Sequence, residues 1–118
     1  MIVRDGLTKV REFLSGDDST GLTHVAVGTG TTAETYEDTA LGTEKARVPV
    51  IRLAANGDRK LIIDTTLSAL DAVGFTLSEW GVLDAATSGT LFLRKMSALA
   101  DAKTVTEETR IVIEIEIR

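Results

Sequence analysis

The run Gly28-Thr29-Gly30-Thr31-Thr32-Ala33 has the residue types and spacing of a nucleotide-binding turn, because it follows a short apolar stretch and fits G-x-G-x-x-G/A. That chemistry needs a helix that begins inside the motif and points its N-terminus at the pyrophosphate. Residues 31–39 carry several β-branched residues, three acids and no apolar face, which disfavours both a helix and an anionic ligand. The acid expected about 20 positions further on is also missing, since position 47 is Arg. The sequence therefore favours a Gly/Thr-rich loop over a nucleotide site.

The other residues that could do chemistry lack partners at the required spacing. His24 is the only histidine, and there is no G-x-S-x-G elbow, so we favour a surface or interface histidine over a catalytic one. The acids Asp17-Asp18 and Glu34, Glu37 and Asp38 lack the spacing of an EF-hand loop, which favours solvated loop acids over a Ca²⁺ site. The chain has no cysteine for a disulfide or a thiolate metal site. We predict no catalytic, cofactor-binding or metal-binding residue and no enzymatic activity.

Length and charge limit the remaining function classes. The 118 residues suffice for a single domain over 1–118, with ordinary apolar and charged content. The net charge of −5, without any cluster of Lys and Arg, argues against nucleic-acid binding. No apolar run approaches the ~18 residues of a membrane span, and no signal-peptide core follows Met1. We expect a soluble protein that is made in the cytoplasm.

Residues 1–15 are predicted to form an amphipathic helix. Asp5 is the candidate N-cap, Ser15-Gly16-Asp17-Asp18 is the stop signal, and one face carries Leu7, Val10, Phe13 and Leu14. The favoured interpretation is a helix that packs on the domain. The alternative is an arm that docks on a neighbouring molecule.

The remaining residues, 22–118, are predicted to form a β-domain. The pattern indicates about six strands, near Thr23–Val27, Ala46–Ala55, Arg59–Leu67, Phe75–Leu83, Leu91–Met96 and 111–117, with a polar loop over Gly28–Thr43. Pro49 suggests an edge strand or a bulge, and Asn56-Gly57 is a strong hairpin signal. Ile111, Ile113, Ile115 and Ile117 alternate with mostly charged residues, and cross-strand pairs are expected for Glu114 and Glu116. Because no helical segment separates these strands, we predict a mainly β fold, an antiparallel sandwich or flattened barrel with an N-terminal α-helix.

Trp80 is the only tryptophan, and it lies between Glu79 and Gly81 in the predicted fourth strand. A core or half-buried anchor is favoured for it, and an interface hot spot is the alternative. Phe75, Leu77 and Glu79 are predicted to share one side of that strand. Gly81 indicates a bulge or a close backbone approach.

Two longer stretches resemble small structural proteins of tailed bacteriophages. In GLTHVAVGTGTTAETYEDTALGTEKAR (Gly21–Arg47), a strand with a G-T-G-T-T run precedes a Thr/Ala-rich loop and an L-x-x-E-x-x-R segment formed by Leu41, Glu44 and Arg47. In LSEWGVLDAATSGTLFLRKM (Leu77–Met96), an acid, a glycine and an apolar-Asp pair precede a small-residue turn and an L-x-x-R strand. The resemblance covers residues 4–118. Trp80 and Leu83 depart from the pattern, which more often has a small or aliphatic residue and an aromatic residue at these positions.

The resemblance implies a virion component from the tail, baseplate or fibre-attachment region, without enzymatic activity or cofactor. Its partners would be copies of itself and other virion proteins, with no nucleic acid or membrane involved, and it would assemble in the host cytoplasm. The alternatives are a capsid decoration protein and, less favoured because aromatic residues are scarce, a carbohydrate-binding β-sandwich. The candidate interface residues are Leu7, Val10, Phe13, Leu14, Thr29, Thr31, Tyr36 and Trp80.

Overall fold

The computed structural model describes residues 1–18, 20–55, 57, 59–68, 75–100 and 109–116. These residues form one helix and seven strands. In chain order the elements are α1 (Arg4–Ser15), β1 (His24–Gly28), β2 (Glu44–Pro49), β3 (Arg52–Ala55), β4 (Lys60–Leu67), β5 (Leu77–Leu83), β6 (Leu91–Ala100) and β7 (Thr109–Glu116).

The strands form two antiparallel sheets, which confirms the predicted mainly β fold with an N-terminal helix. The first sheet has the order β2-β1-β5-β6, and the second has the order β3-β4-β7. One apolar cluster lies between them and includes Val25 and Val27 of β1, Ile63 of β4 and Ile113 of β7. Because side chains alternate between the faces of a strand, Ala26 belongs to a separate cluster on the outer face of the first sheet.

Pro49 lies at the corner where the chain leaves one sheet for the other. β2 and β3 are both edge strands, so the edge position predicted for Pro49 is confirmed. The prediction of a single strand over Ala46–Ala55 is wrong, because the chain bends at Val50-Ile51 between the two sheets. Two hydrogen bonds hold the corner: the Thr65 hydroxyl donates to the Pro49 carbonyl at 2.7 Å, and the Ile51 N–H donates to the Asp64 carbonyl at 2.9 Å.

The hairpin and the last strand follow their local sequence signals. β3 pairs with β4 across a loop in which Gly57 has a φ of +80°, a conformation that glycine adopts readily. Asn56 lies outside the described residues. In β7 the buried side chains are Ile111, Ile113 and Ile115, while Val112 and Glu114 are exposed, as predicted. Glu114 forms the expected cross-strand ion pair with Lys60, at 3.2 Å, and Ile117 lies outside the described residues.

A layer made of the N-terminal segment and the loop 29–43 covers the outer face of the first sheet. Its apolar contacts join Val3 and Leu41 to Ala26, Leu83 and Leu91 of the sheet. The helix starts at Arg4 with Val3 as N-cap and no side-chain cap, so the prediction of Asp5 as cap is wrong. Asp5 lies in the first turn, where its charge complements the helix dipole. Gly16, in the left-handed conformation, ends the helix as predicted.

Candidate interaction surface

Four large apolar side chains of α1 are exposed to solvent. Leu7, Val10, Phe13 and Leu14, here called the α1 patch, are 47%, 40%, 56% and 82% exposed. The helix residues that are buried are Gly6 and Lys9. The helix therefore packs on the domain as favoured, but through its small and charged face. A helix that turns its apolar face to solvent matches the alternative interpretation, an element that docks on another molecule.

Two features of the buried face fix this orientation of α1. Gly6 lies against β6 so closely that a Cβ atom at this position would be 2.0 Å from the Phe92 carbonyl oxygen. Lys9 is 5% exposed, and its Nζ donates to Asp84 Oδ2 at 2.9 Å and to Asp18 Oδ2 at 3.1 Å. Burial opposes protonation of Lys9, but the hydrogen bonds that its ammonium group donates to Asp84 and Asp18 outweigh this effect and raise the pKa of Lys9 above the ordinary value. Turning the α1 patch inward would break these charged hydrogen bonds.

An apolar groove runs beside the second half of α1. It has a volume of about 240 Å³ and opens between the helix and the β3–β4 hairpin. Val10, Phe13 and Leu14 form one wall, and Leu53 and Leu61 form the other. The groove extends the α1 patch into a larger apolar surface, whose remaining lining residues are Lys9, Thr20, Gly21, Leu22 and Phe92.

The loop 29–43 is held on the sheet by a buried carboxylate. Glu79 has no solvent exposure. Its oxygens accept hydrogen bonds from the N–H groups of Gly30 at 2.6 Å, Gly42 at 2.7 Å and Thr43 at 2.8 Å, and from Arg94 Nε at 3.0 Å. Burial would raise the pKa of Glu79, but the three backbone donors and Arg94 outweigh that effect and lower it. Glu79 is therefore an ionised carboxylate that ties both ends of the loop to β5.

Arg94 extends this network into the middle of the loop. Its side chain, 1% exposed, donates to Asp38 Oδ2 at 2.9 Å and to the carbonyl oxygens of Thr32 at 2.8 Å and Ala33 at 3.3 Å. Burial opposes the charge of Arg94, but Asp38 and Glu79 outweigh it and raise its pKa. No buried side-chain nitrogen or oxygen among the described residues lacks a hydrogen-bond partner. The pair thus has the compensation that a buried ion pair requires.

The same network explains the glycine pattern that resembles a nucleotide site. A Cβ at position 30 would be 2.3 Å from Glu79 Oε2, and a Cβ at position 28 would be 2.2 Å from the Thr43 carbonyl oxygen. The Gly30 N–H, which a phosphate would need, is bound to the protein's own carboxylate. No helix follows the motif within the described residues. The glycines therefore serve close packing within the chain.

The structure brings Tyr36 to the N-terminal end of α1. The Arg4 N–H donates to the Tyr36 carbonyl at 2.7 Å, and the Arg4 guanidinium carbon lies 5.2 Å from the centre of the Tyr36 ring. Arg4 and Leu7 are neighbours on the helix surface, so Tyr36 adjoins the α1 patch. Thr31 is exposed in the same loop, and Thr29 is half-buried. Trp80 is half-buried against the core between the sheets and does not line the groove, as expected for an anchor.

Of the five loop acids interpreted as solvated, Asp17 is exposed as expected, and the other four form ion pairs. Asp18 pairs with Lys9, Asp38 with Arg94, and Glu37 with Arg4. Glu34 Oε1 lies 3.9 Å from Lys95 Nζ. In the described ranges, no group of three histidine or acidic side chains could hold a metal ion. The His24 ring shares a hydrogen bond with the Thr23 hydroxyl at 2.8 Å.

Sequence reasoning missed the two buried charge networks, although each had a signal. Glu79 occupies a position on the apolar side of a strand, and Arg94 interrupts the apolar run of β6. Lys9 lies three residues after Gly6 and one turn before Phe13 on the helix surface, so it borders the α1 patch. A charge on an expected core face indicates a buried partner, because an unpaired charge would cost several kcal/mol there.

Comparisons with known proteins identify no family for this chain. No family model matches the chain, and neither a curated protein nor a solved structure matches it. Within the described ranges, no helix has the length and apolar content of a membrane span.

Proposed function

We propose that this protein is a non-enzymatic structural subunit of a bacteriophage virion, in the tail, baseplate or fibre-attachment region. It acts by binding copies of itself and neighbouring virion proteins. The observation that carries the contact role is the exposed α1 patch on a helix that internal bonds hold in place. The resemblance of Gly21–Arg47 and Leu77–Met96 to phage structural proteins supports the virion as the setting.

Burial of the α1 patch against a partner would contribute favourable free energy. Leaving a large apolar side chain in water forfeits about 1.5–3 kcal/mol that burial would contribute. The α1 patch presents four such side chains on one face and adjoins an apolar groove. Contiguous apolar surfaces of this kind mark sites of protein–protein contact.

The loop 29–43 is the second contact element of the proposal. Its backbone is fixed to the sheet by Glu79 and Arg94, while Thr31 and Tyr36 remain exposed. A fixed loop loses little conformational entropy on binding, which favours its use in a repeated subunit contact.

The test is antibody labelling of particles purified from the strain that encodes the chain. Label on the tail or its tip is the expected result, whereas label on the head would indicate a decoration protein. The virion assignment would be overturned if the particles carried no label and mass spectrometry detected no peptides of this protein in them.

A variant pair connects the α1 patch to incorporation. Leu14→Glu places a charge on the most exposed apolar side chain of the patch, and Val112→Glu does the same on the outer face of β7, at 54% exposure. We expect Leu14→Glu to reduce incorporation into particles and Val112→Glu to leave it unchanged. Equal incorporation of both variants would contradict the role of the patch.

A further inference from the structure

The α1 surface carries a protrusion beside a depression. Leu14, 82% exposed, is the most exposed large apolar side chain among the described residues and stands at the rim of the apolar groove. The groove's 240 Å³ equals roughly eight water volumes of about 30 Å³, which is room for a four-carbon leucine side chain. A surface with a knob next to a matching hole is complementary to itself when a two-fold axis passes between them.

Charges along α1 repeat this self-complementarity. Arg11, one turn before Leu14, has a 74% exposed side chain, whose partner within the chain is the adjacent Glu12, with Arg11 Nη2 and Glu12 Oε1 3.7 Å apart. Asp17, three residues after Leu14, is also exposed and follows the end of the helix. When two copies of this segment run antiparallel and cross at Leu14, Arg11 of each copy faces Asp17 of the other. In a parallel pairing like charges would face each other, so the charges select the antiparallel arrangement.

We propose that the occupant of the groove is a second copy of this chain. The two copies pair α1 antiparallel about a two-fold axis beside Leu14, and each Leu14 enters the groove of the other copy between Phe13 and Leu53. Arg11 and Asp17 pair across the axis, twice per dimer. The proposal deepens the self-assembly part of the proposed function and rests on it.

The internal bonds of α1 preorganise this contact. Lys9 lines the groove, and its bond to Asp84 fixes the helix relative to the end of β5. The helix that carries Leu14 and one wall of the groove therefore has a fixed orientation in the free chain. Because the contact is isologous, every substitution in it acts twice per dimer.

The test is a charge-reversal cycle on the purified full-length chain, with the dimer dissociation constant measured by sedimentation equilibrium. Arg11→Asp and Asp17→Arg each convert two attractive pairs into repulsive ones, and each should weaken the dimer about tenfold. The double variant restores opposite charges across the two-fold axis and should return to within about threefold of the original dissociation constant.

Leu14→Glu should weaken the dimer by more than about a hundredfold, because a carboxylate would enter an apolar groove. Val112→Glu is the matched control and should leave dimerisation unchanged. Circular dichroism of each variant separates loss of pairing from loss of the fold. A chain that stays monomeric, or a double variant as weak as the single ones, overturns the two-fold arrangement. Labelling of virions is independent of this result, so failure of the dimer and failure of the virion assignment are distinguishable.

Discussion

Replacing Glu79 by alanine tests whether the buried network holds the loop 29–43 on the sheet. The substitution removes the acceptor for three backbone N–H groups and one of the two carboxylates that bind Arg94. Arg94 would keep Asp38 and the loop carbonyl groups as partners. The variant thus leaves a buried cation with half of its compensating charge.

The expected loss of unfolding free energy is about 4 kcal/mol. Breaking a buried ion pair by removing one partner costs about 3–5 kcal/mol, and each unsatisfied buried donor costs about 1–3 kcal/mol. Because water can reach the opened loop, we take the middle of the ion-pair range rather than the sum. This loss is a large fraction of the roughly 5–15 kcal/mol total stability of such a domain.

Urea unfolding followed by Trp80 fluorescence and circular dichroism measures this loss. Glu114→Ala is the matched control, since it removes a carboxylate from an exposed pair with Lys60 and should cost less than about 1 kcal/mol. Amide exchange gives a local readout, because the N–H groups of Gly30, Gly42 and Thr43 should lose protection in Glu79→Ala. A cost no larger than that of Glu114→Ala, with these amides still protected, would show that the network does not hold the loop on the sheet.

Three further predictions concern the packing and charges around this layer. Gly30→Ala should lower the unfolding free energy, measured in urea titrations, by about 1–3 kcal/mol, because the added Cβ atom would lie 2.3 Å from Glu79 Oε2. Gly21→Ala is the control and should cost little, because no atom lies within 4 Å of a Cβ at that position. Lys9→Met leaves Asp84 without its cation, so α1 should become susceptible to limited proteolysis and the free energy of unfolding should fall by about 2–4 kcal/mol. An unchanged digestion rate would show that the bond between Lys9 and Asp84 does not hold α1 in place. Acid should destabilise the protein, because carboxylates whose pKa is lowered by folding bind fewer protons in the folded state than in the unfolded state. Their contribution to the free energy of unfolding is fully present above about pH 4, and it is lost as the pH falls through their folded pKa values. Urea midpoints measured between about pH 7 and pH 3 should show this loss, and the acid dependence should be weaker in Glu79→Ala; the carboxylates concerned include Asp38, Glu79 and Asp84.

Local signals predicted much of the β-domain. The alternation around Ile113 predicted the buried face of β7, because successive side chains of a strand point alternately to the core and to solvent. Asn56-Gly57 located the hairpin through its turn chemistry. The break after Pro49 was missed, because a chain that passes from one sheet to the other keeps β-type residues on both sides of the corner.

The orientation of α1 could not be read from its periodicity. Periodicity identifies an apolar face, and the default expectation is that this face lies inward. Here Gly6 and Lys9 face inward, because β6 offers a backbone surface without room for a side chain and Asp84 offers a charge partner. Both determinants lie far away in the sequence, so only the tertiary structure shows that the apolar face is left exposed.

The buried pair of Glu79 and Arg94 depended on tertiary structure in the same way. The residues that follow the G-x-G spacing disfavoured an anionic ligand, yet an anion approaches the Gly30 backbone closely. The anion is a carboxylate from a strand 49 residues away from Gly30, and no local pattern encodes that distance.

The absolute mass of the purified chain in solution tests most directly whether the protein binds copies of itself through α1. Light scattering after size exclusion, at increasing concentration, measures it. Pairing through α1 predicts a mass of twice the 12.6 kDa chain, which falls to the monomer mass in Leu14→Glu and not in Val112→Glu. A mass of 12.6 kDa at every concentration, or an oligomer indifferent to Leu14→Glu, would contradict the claim.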